Sequence, residues 1–269
     1  MKLQFKRIKN HQIDQISDIP PEEWKFDIVE FIKTFNHLDN FYFVTAATDN
    51  KIVGTGNIFI TGKSSWLGNI IVRETYRRNN TGTEITEHLI DYSDKNNCET
   101  INLIATDTGK MLYTKSGFIE CSKYIFFKEG NVFKNYDDKN ISRINVEDLP
   151  EIYRIDKSIT GDDRKSILGL FYSDGYKYSI SDNIVGFYLP SLGNGAIIAE
   201  EVIAGIELLK LKHSQPGKVT IAPEQNIVVS DFLKANNYRE YARATRMFKG
   251  NEPVWKPEGM FCRISGYIS

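Results

Sequence analysis

The chain has 269 residues, 41% of them hydrophobic and 12% aromatic, which is enough for one large packed domain or two of ordinary size. Its 34 basic and 35 acidic residues leave a net charge of -1, which argues against binding to nucleic acid through bulk positive charge. Because the chain has no signal-peptide core and no apolar run of roughly 18 residues, we expect a soluble, cytoplasmic protein with no membrane partner.

Cysteines and histidines show no metal-ligand pattern. Cys98, Cys121 and Cys262 lack Cys-x-x-Cys spacing, so we interpret them as small core residues rather than a disulfide framework. The four histidines are not spaced as metal ligands either, and His88, on the apolar side of a predicted helix, is expected to lie in the core. The sequence therefore predicts no metal site.

The first half of the chain predicts alternating strands and helices. Helices are expected over residues 21–37, with Trp24 on the apolar side, and around Ile85, His88, Leu89 and Tyr92. Strands are expected over residues 3–9, 41–48, 51–60, 66–72 and 100–105, with Asp49 and Asn50 as a hairpin turn. The pattern predicts an α+β fold with a mixed, mostly antiparallel central sheet flanked by helices.

The second half repeats parts of the first. Residues 68–74, Gly-Asn-Ile-Ile-Val-Arg-Glu, match residues 195–201, Gly-Ala-Ile-Ile-Ala-Glu-Glu, and Ile104-Ala-Thr-Asp matches Ile221-Ala-Pro-Glu. Between the halves the composition turns polar and loses periodicity, as in a linker. We therefore predict a first domain over residues 1–130, a linker over 131–140 and a second domain over 141–269.

Two motifs in the first half resemble the GNAT family of N-acetyltransferases. In that family a central strand is followed by Arg/Gln-x-x-Gly-x-Gly/Ala and a helix, and a later helix ends in Tyr-x-x-x-Gly-Phe. Residues 77–82, Arg-Arg-Asn-Asn-Thr-Gly, fill the first motif with Asn80 in place of its first glycine, and residues 113–118, Tyr-Thr-Lys-Ser-Gly-Phe, fill the second. The resemblance covers nearly all of residues 1–130 and, more weakly, 141–269, like tandem members with a divergent second copy.

The resemblance implies acetyl-CoA as cofactor, bound where the central strand meets the first motif. A loop that enters a helix N-terminus offers unpaired N–H groups to a pyrophosphate, and arginines add charge. Asn80 suits the glycine position because Asn enters the left-handed region readily. The implied cofactor residues are Ile70, Ile71, Val72, Arg77, Arg78, Asn79, Asn80, Thr81, Gly82 and Thr83. As an alternative, Thr81-Gly-Thr-Glu84 reads as a capping box that satisfies these amides without a ligand.

Tyr113 is the predicted catalytic residue. Attack of a neutral amine on a thioester expels a thiolate, and a phenol near the sulfur can protonate it. The alternative role of Tyr113 is that of a core aromatic residue on its helix. Glu74 is a candidate base, although a solvated surface glutamate explains it as well.

The second copy lacks the equivalent parts. Glu74 and Ile104 are 30 positions apart but Glu201 and Ile221 only 20, and the missing stretch contains the phosphate loop. Leu233 aligns with Tyr113. The resemblance also implies a closing strand over residues 260–268, and we interpret Asp163 and Arg164 as an ion pair, with binding of an acceptor's charge as the alternative.

These features predict direct transfer of an acetyl group from acetyl-CoA to a primary amine of a small molecule or peptide. The cofactor is expected in the first half only, while the second half helps to form the acceptor pocket. One rival is an acyl-CoA-binding module or sensor with little turnover, suggested by Asn80 in place of glycine. Another is a structural protein in which the capping box replaces the phosphate site. The oligomeric state and the acceptor are left open.

Overall fold

The computed structural model describes residues 2–269 and divides them into two compact units. The first comprises residues up to Glu120 together with Met247–Glu252 and Gly266–Ile268, and the second contains Cys121–Arg246, Pro253–Ser265 and Ser269. The predicted linker at residues 131–140 falls in the second unit by this division, and the domain boundaries predicted from sequence remain a prediction. Within the described residues, no helix is both long enough and apolar enough to cross a membrane.

The elements of the first half follow the predicted order. They are β1 (Gln4–Arg7), α1 (Ile28–Phe35), β2 (Phe41–Thr48), β3 (Lys51–Thr61), β4 (Ser64–Val72), α2 (Thr81–Lys95), β5 (Thr100–Ala105) and α3 (Asp107–Lys115). Asp49 and Asn50 form the β2–β3 turn with φ of 48° and 60°, which is why this dipeptide suits a tight hairpin. Strands β1 to β4 pair in antiparallel fashion, while β4 and β5 are parallel.

Helices cover both faces of this sheet. Ile85 and Leu89 of α2 pack over Gly56, where an added Cβ would lie 2.9 Å from each side chain. Phe31 and Phe35 of α1 pack on Phe59, three positions along β3 and hence on the opposite face. Beyond β5, Asn251 donates its N–H to Glu99 O at 2.8 Å, so Met247–Glu252 completes this unit.

The second half repeats the order strand, helix, strand, helix, strand. Its elements are β6 (Ile119–Lys128), β7 (Ile141–Arg143), α4 (Leu149–Thr160), α5 (Lys165–Leu168), β8 (Tyr176–Ile180), β9 (Asn183–Leu189), β10 (Ala196–Ala199), α6 (Val202–Lys212), β11 (Thr220–Pro223), α7 (Ile227–Ala235), β12 (Arg239–Gly250) and β13 (Met260–Cys262). Strands β7 to β10 and β13 form one sheet, and β11 pairs with β6. The run from β10 to β12 therefore matches the run from β4 to β6.

Two predicted elements are shorter than expected. The helix predicted over residues 21–37 is a 3-10 turn, Glu22–Trp24, followed by α1, because Lys25 is left-handed at φ 47° and Asp27 caps Glu30 N–H at 2.9 Å. The closing strand predicted over residues 260–268 ends at Cys262. Its last part leaves the sheet, and Tyr267 instead packs 4.7 Å from the Phe31 ring.

Candidate active site

A cavity of about 690 Å³ in the first unit brings most of the predicted site residues together. Its walls come from the end of β4, the loop that enters α2, the first turns of α3 and the 3-10 turn Glu22–Trp24. The predicted residues that line it are Ile70, Ile71, Val72, Arg77, Arg78, Asn80, Thr81, Gly82, Thr83 and Tyr113. Asn79 was also predicted as a site residue, but it is exposed and is not among the lining residues of the described chain.

The two central strands part beside this cavity. Strand β4 pairs with β5 only from Ser64 to Leu67, opposite Thr100 to Leu103, so residues 68–72 have no partner in the β4–β5 register. Unpaired strand backbone can bind an amide-containing ligand as an added strand would. The pairing between the two strands therefore ends before β4 reaches the cavity wall at Ile70.

A bulge in β4 was not foreseen from the sequence. The register with β3 shifts between Thr55 and Asn57, and Asn69 is left-handed at φ 48°. Asn69 Nδ2 donates to Asn57 Oδ1 at 2.8 Å, and Thr55 Oγ1 donates to Asn69 O at 3.2 Å. These buried polar groups fix the bend that directs Ile70 and Val72 along the cavity wall.

The loop that enters α2 has the backbone shape of an anion-binding turn. Arg78 and Asn80 are left-handed, with φ of 64° and 60°, as was expected for Asn80 at a glycine position. Alternation of left-handed residues in such a turn points successive N–H groups to one side, where they can bind an anion. Arg77 Nε donates to Val72 O at 3.1 Å, which ties the loop back to β4.

The capping-box alternative is wrong. The N-cap of α2 is Asn80 rather than Thr81, and within residues 2–269 no side chain caps the helix. Thr81 instead donates its hydroxyl to Tyr76 O at 3.3 Å, and Glu84 N–H bonds to Asn80 O at 3.0 Å. The first-turn amides of α2 therefore remain available to a ligand in the cavity.

Local backbone geometry sets the position of Tyr113. Thr106 is the N-cap residue of α3, its side chain accepts a hydrogen bond from Gly109 N–H, and the Tyr113 ring lies over that turn. A Cβ on Gly109 would lie 3.1 Å from Tyr113 Cε2, so glycine leaves room for the ring.

The Tyr-x-x-x-Gly-Phe motif has a clear structural basis. Gly117 is left-handed at φ 87°, and Phe118 N–H bonds back to Tyr113 O at 3.0 Å, which ends α3 in a Schellman turn. The Tyr113 and Phe118 rings pack at 6.0 Å, the apolar contact that accompanies this turn. The motif therefore explains an aromatic ring at position 113, but not its hydroxyl group.

In the second copy, helix α7 ends in the same kind of turn, but the residue at the position of Tyr113 is Leu233, which has no hydroxyl group. Asn237 is left-handed at φ 63°, and Tyr238 N–H bonds to Leu233 O at 3.0 Å. This turn confirms the alignment of Leu233 with Tyr113. Glu201 is the N-cap residue of α6 only two positions after β10 ends, although its side chain forms no capping bond, so the chain passes from strand to helix without the phosphate loop.

Burial changes the acidity of Tyr113. Desolvation raises the pKa of its phenol to about 12, because the charged form loses contact with water. The phenol is therefore protonated throughout the neutral range and can donate a hydrogen bond or a proton into the cavity.

Seven lining residues were missed by the sequence interpretation: Thr106, Thr108, Gly109 and Leu112 at helix α3, and three residues that precede α1. Pro21, Glu23 and Trp24 reach the cavity from the 3-10 turn before α1. Trp24 was expected on the apolar side of a helix, but it is 53% exposed, because α1 starts only at Ile28. No local pattern in the sequence marks these residues as part of a site.

Three further residues for which the sequence suggested roles are Glu74, Asp163 and Arg164. Glu74 is exposed in a neighbouring groove and is not among the lining residues of the described cavity. The Asp163–Arg164 ion pair is wrong: Arg164 is buried and pairs with Asp156, with Nε to Oδ2 at 2.9 Å, while Asp163 lies 3.4 Å from Lys165 Nζ. Arg164 turns inward because Asp156 lies on the buried side of α4.

Comparison with known proteins finds acetyltransferases that are similar to the first half of the chain. The model of the acetyltransferase (GNAT) family matches residues 6–118. Glucosamine 6-phosphate N-acetyltransferase 1 of Dictyostelium discoideum is 30% identical over an alignment of 109 residues. The alignment covers 36% of this chain and 69% of that protein. Residues 6–118, which the family model matches, include the loop that enters α2, the lining residues of the cavity and Tyr113.

Solved structures share the fold over more of the chain. A Pyrococcus horikoshii protein described as a candidate acetyltransferase has a TM-score of 0.85 at 19% identity, covering 99% of this chain and 96% of that one. A GCN5-related N-acetyltransferase from Anabaena variabilis has a TM-score of 0.64 at 11% identity, over 92% and 72% of the two chains. These similarities establish the fold of both halves.

Proposed function

Because this chain belongs to the acetyltransferase (GNAT) family, we propose that its first unit transfers an acetyl group from acetyl-CoA to a primary amine of a small molecule or peptide. The chain is an acyltransferase, and acetyl-CoA is its acetyl donor. The proposal adds the acceptor, direct transfer within a ternary complex, a cytoplasmic location and the residues that act.

The residues around the cavity fit this cofactor. Its phosphates would lie against Arg78 and the uncapped amides of Gly82 and Thr83, which combine charge with N–H donors. Its amide-containing arm would follow the β4 backbone at Ile70 and Val72, beyond the paired part of the strand. Among the described lining residues, Arg77 and Arg78 carry the only positive charges.

Tyr113 is proposed as the general acid. Bound acetyl-CoA supplies a thioester, whose carbon accepts the amine nitrogen while the sulfur leaves as a thiolate. Tyr113 holds a phenolic proton at its pKa of about 12 and gives it to this sulfur, and the amine nitrogen loses a proton to solvent or to a base. A protonated acid in the same cavity as an anion-binding loop is the observation that carries the proposal.

The second half is proposed to be a GNAT-like domain without a cofactor site. Its helix α6 follows Glu201 directly, and Leu233 occupies the position of Tyr113. For the acceptor, the Dictyostelium relative suggests glucosamine 6-phosphate as one compound to test. An acyl-CoA sensor with little turnover is the alternative function, because Asn80 replaces a glycine of the motif.

Release of free thiol from acetyl-CoA with a panel of amines tests the proposal. We expect wild-type turnover with at least one amine and a rise in melting temperature with acetyl-CoA alone. The Arg77→Ala, Arg78→Ala double variant should stay folded but bind acetyl-CoA more weakly by about 2–3 kcal/mol, the scale of charge-assisted hydrogen bonds. Binding without turnover would favour the sensor, and no thermal shift with millimolar acetyl-CoA would contradict both functions.

A further inference from the structure

The active-site cavity contains an adjacent carboxylate and indole whose purpose the cofactor does not explain. Glu23 is the one carboxylate among its lining residues in the described chain, and Trp24 lines it although 53% exposed. Within residues 2–269 neither side chain forms a hydrogen bond, an ion pair or a ring contact. A single exposed aromatic side chain is ordinary at a protein surface, so it is the position of both side chains at the cavity wall that makes them candidates for ligand binding.

The segment that carries these side chains is held in a defined conformation. Trp24 N–H bonds to Pro21 O and Lys25 N–H to Glu22 O, each at 3.0 Å. Proline restricts the backbone before the turn, and Lys25, left-handed at φ 47°, ends it. Glu23 and Trp24 are thus presented to the cavity by a turn that is fixed before any ligand arrives.

A carboxylate and an indole that line the same cavity are suited to an ammonium ion. The carboxylate attracts the positive charge, and the indole ring binds a cation through its negative face, best of the aromatic side chains. The same pair is poorly suited to the phosphates of acetyl-CoA, which Glu23 would repel. An acceptor amine arrives largely protonated near neutral pH, so the pair matches the acceptor rather than the cofactor.

From this arrangement we infer that Glu23 and Trp24 bind the acceptor as an ammonium ion, and that the acceptor is an amine cation without a phosphate group. The inference rests on the proposed transfer to an amine. The two cations that line the cavity, Arg77 and Arg78, both belong to the loop that would hold the phosphates of acetyl-CoA, and the described lining residues include no further cation for a phosphorylated acceptor. This chain should therefore differ in acceptor from the Dictyostelium glucosamine 6-phosphate enzyme, with which it shares 30% identity.

Binding of benzyltrimethylammonium, a cation that cannot be acetylated, tests this inference without turnover. Calorimetry on the full chain saturated with coenzyme A should show binding by wild type. The Trp24→Ala and Glu23→Gln variants should each raise the Kd about fivefold or more, since a cation–π contact or an ion pair is lost. Glu22→Gln removes the neighbouring carboxylate, which lines a different groove, and should leave the Kd unchanged. Glucosamine 6-phosphate should compete poorly.

Three outcomes would overturn the inference. They are an equal Kd in all four proteins, no measurable binding by wild type, and a loss of coenzyme A affinity in Trp24→Ala, which would assign the turn to the cofactor. Strong competition by glucosamine 6-phosphate would contradict the unphosphorylated class. Because no step requires acetylation, a failure of the proposed function would appear separately, in the thiol-release assay.

Discussion

At the scale of single residues, the ring of Tyr113 and its hydroxyl group have different explanations. The Schellman turn at the end of α3 needs an apolar group at this position, and Leu233 meets the same need in the second copy. The hydroxyl is the polar group that Tyr113 has and Leu233 lacks. Since packing does not require that hydroxyl, the presence of Tyr113 at the cavity supports its proposed role as proton donor.

The Tyr113→Phe variant is therefore expected to lose rate rather than stability or affinity. It keeps the ring that packs on Phe118 and removes only the donor, so kcat should fall about 10²-fold, the lower range for general acid catalysis. The Kd for acetyl-CoA, measured by calorimetry, should stay the same. An unchanged kcat would refute the assignment of Tyr113 as the acid.

The raised pKa of Tyr113 adds a dependence on pH. A folded-state value of about 12 keeps the phenol protonated at every lower pH, so its donor function should persist through pH 10. Stopped-flow measurement of kcat from pH 7 to 10 should consequently give parallel profiles for wild type and Tyr113→Phe. An alkaline decline that the variant abolishes would show that the phenol ionises earlier.

At the scale of elements, the loop between β4 and α2 depends on two left-handed residues. Asn80 has φ of 60° where the family motif has glycine, and Arg78 has φ of 64°. Asparagine tolerates this region far better than branched residues do, because its short side chain clashes less and can bond locally. The glycine-to-asparagine change therefore preserves the anion-binding shape of the loop.

A short series at position 80 tests this dependence. Asn80→Gly should bind acetyl-CoA within about twofold of wild type, since glycine adopts positive φ without strain. Asn80→Val should weaken binding about tenfold, because a left-handed branched residue costs 1–2 kcal/mol or reshapes the loop. Asn79→Val places the same side chain on an exposed neighbour that is not left-handed and serves as the control. Equal Kd values for both valine variants would contradict this role for Asn80.

At the scale of the whole molecule, two halves of similar element order differ in chemistry. In the first half, a loop that contains Arg77, Arg78 and Asn80 precedes α2. In the second half, Glu201 is already the N-cap residue of α6 soon after β10 ends, and no such loop lies between them. The second has Leu233 in place of the tyrosine. The absence of both parts from the second half supports the proposal that this half has no cofactor site.

Calorimetric titration should accordingly give one acetyl-CoA per chain. The Arg77→Ala, Arg78→Ala variant should weaken this site without revealing another, since two adjacent arginines precede only α2 among the described helices. A stoichiometry of two would show that the second half binds the cofactor by other means.

Short-range patterns in the sequence were enough to predict many elements of the fold. The β2–β3 hairpin, the strand β5 and the left-handed Asn80 follow from turn residues, apolar periodicity and backbone preference, which act within a few positions. The two family motifs also indicated acetyl-CoA, which the family match confirms, while the catalytic role of Tyr113 stays a prediction.

Only the tertiary structure decided which residues complete the site. Trp24 reaches the cavity because Lys25 and Asp27 delay the start of α1, a competition between caps that periodicity does not reveal. Gly68 of β4 lies so close to Tyr267 that a Cβ would approach the Tyr267 Cα to 2.6 Å, a contact between residues 199 positions apart. Arg164 pairs with buried Asp156 rather than with its neighbour Asp163. Such pairings depend on how distant segments pack, and the short-range preferences of the chain do not specify them.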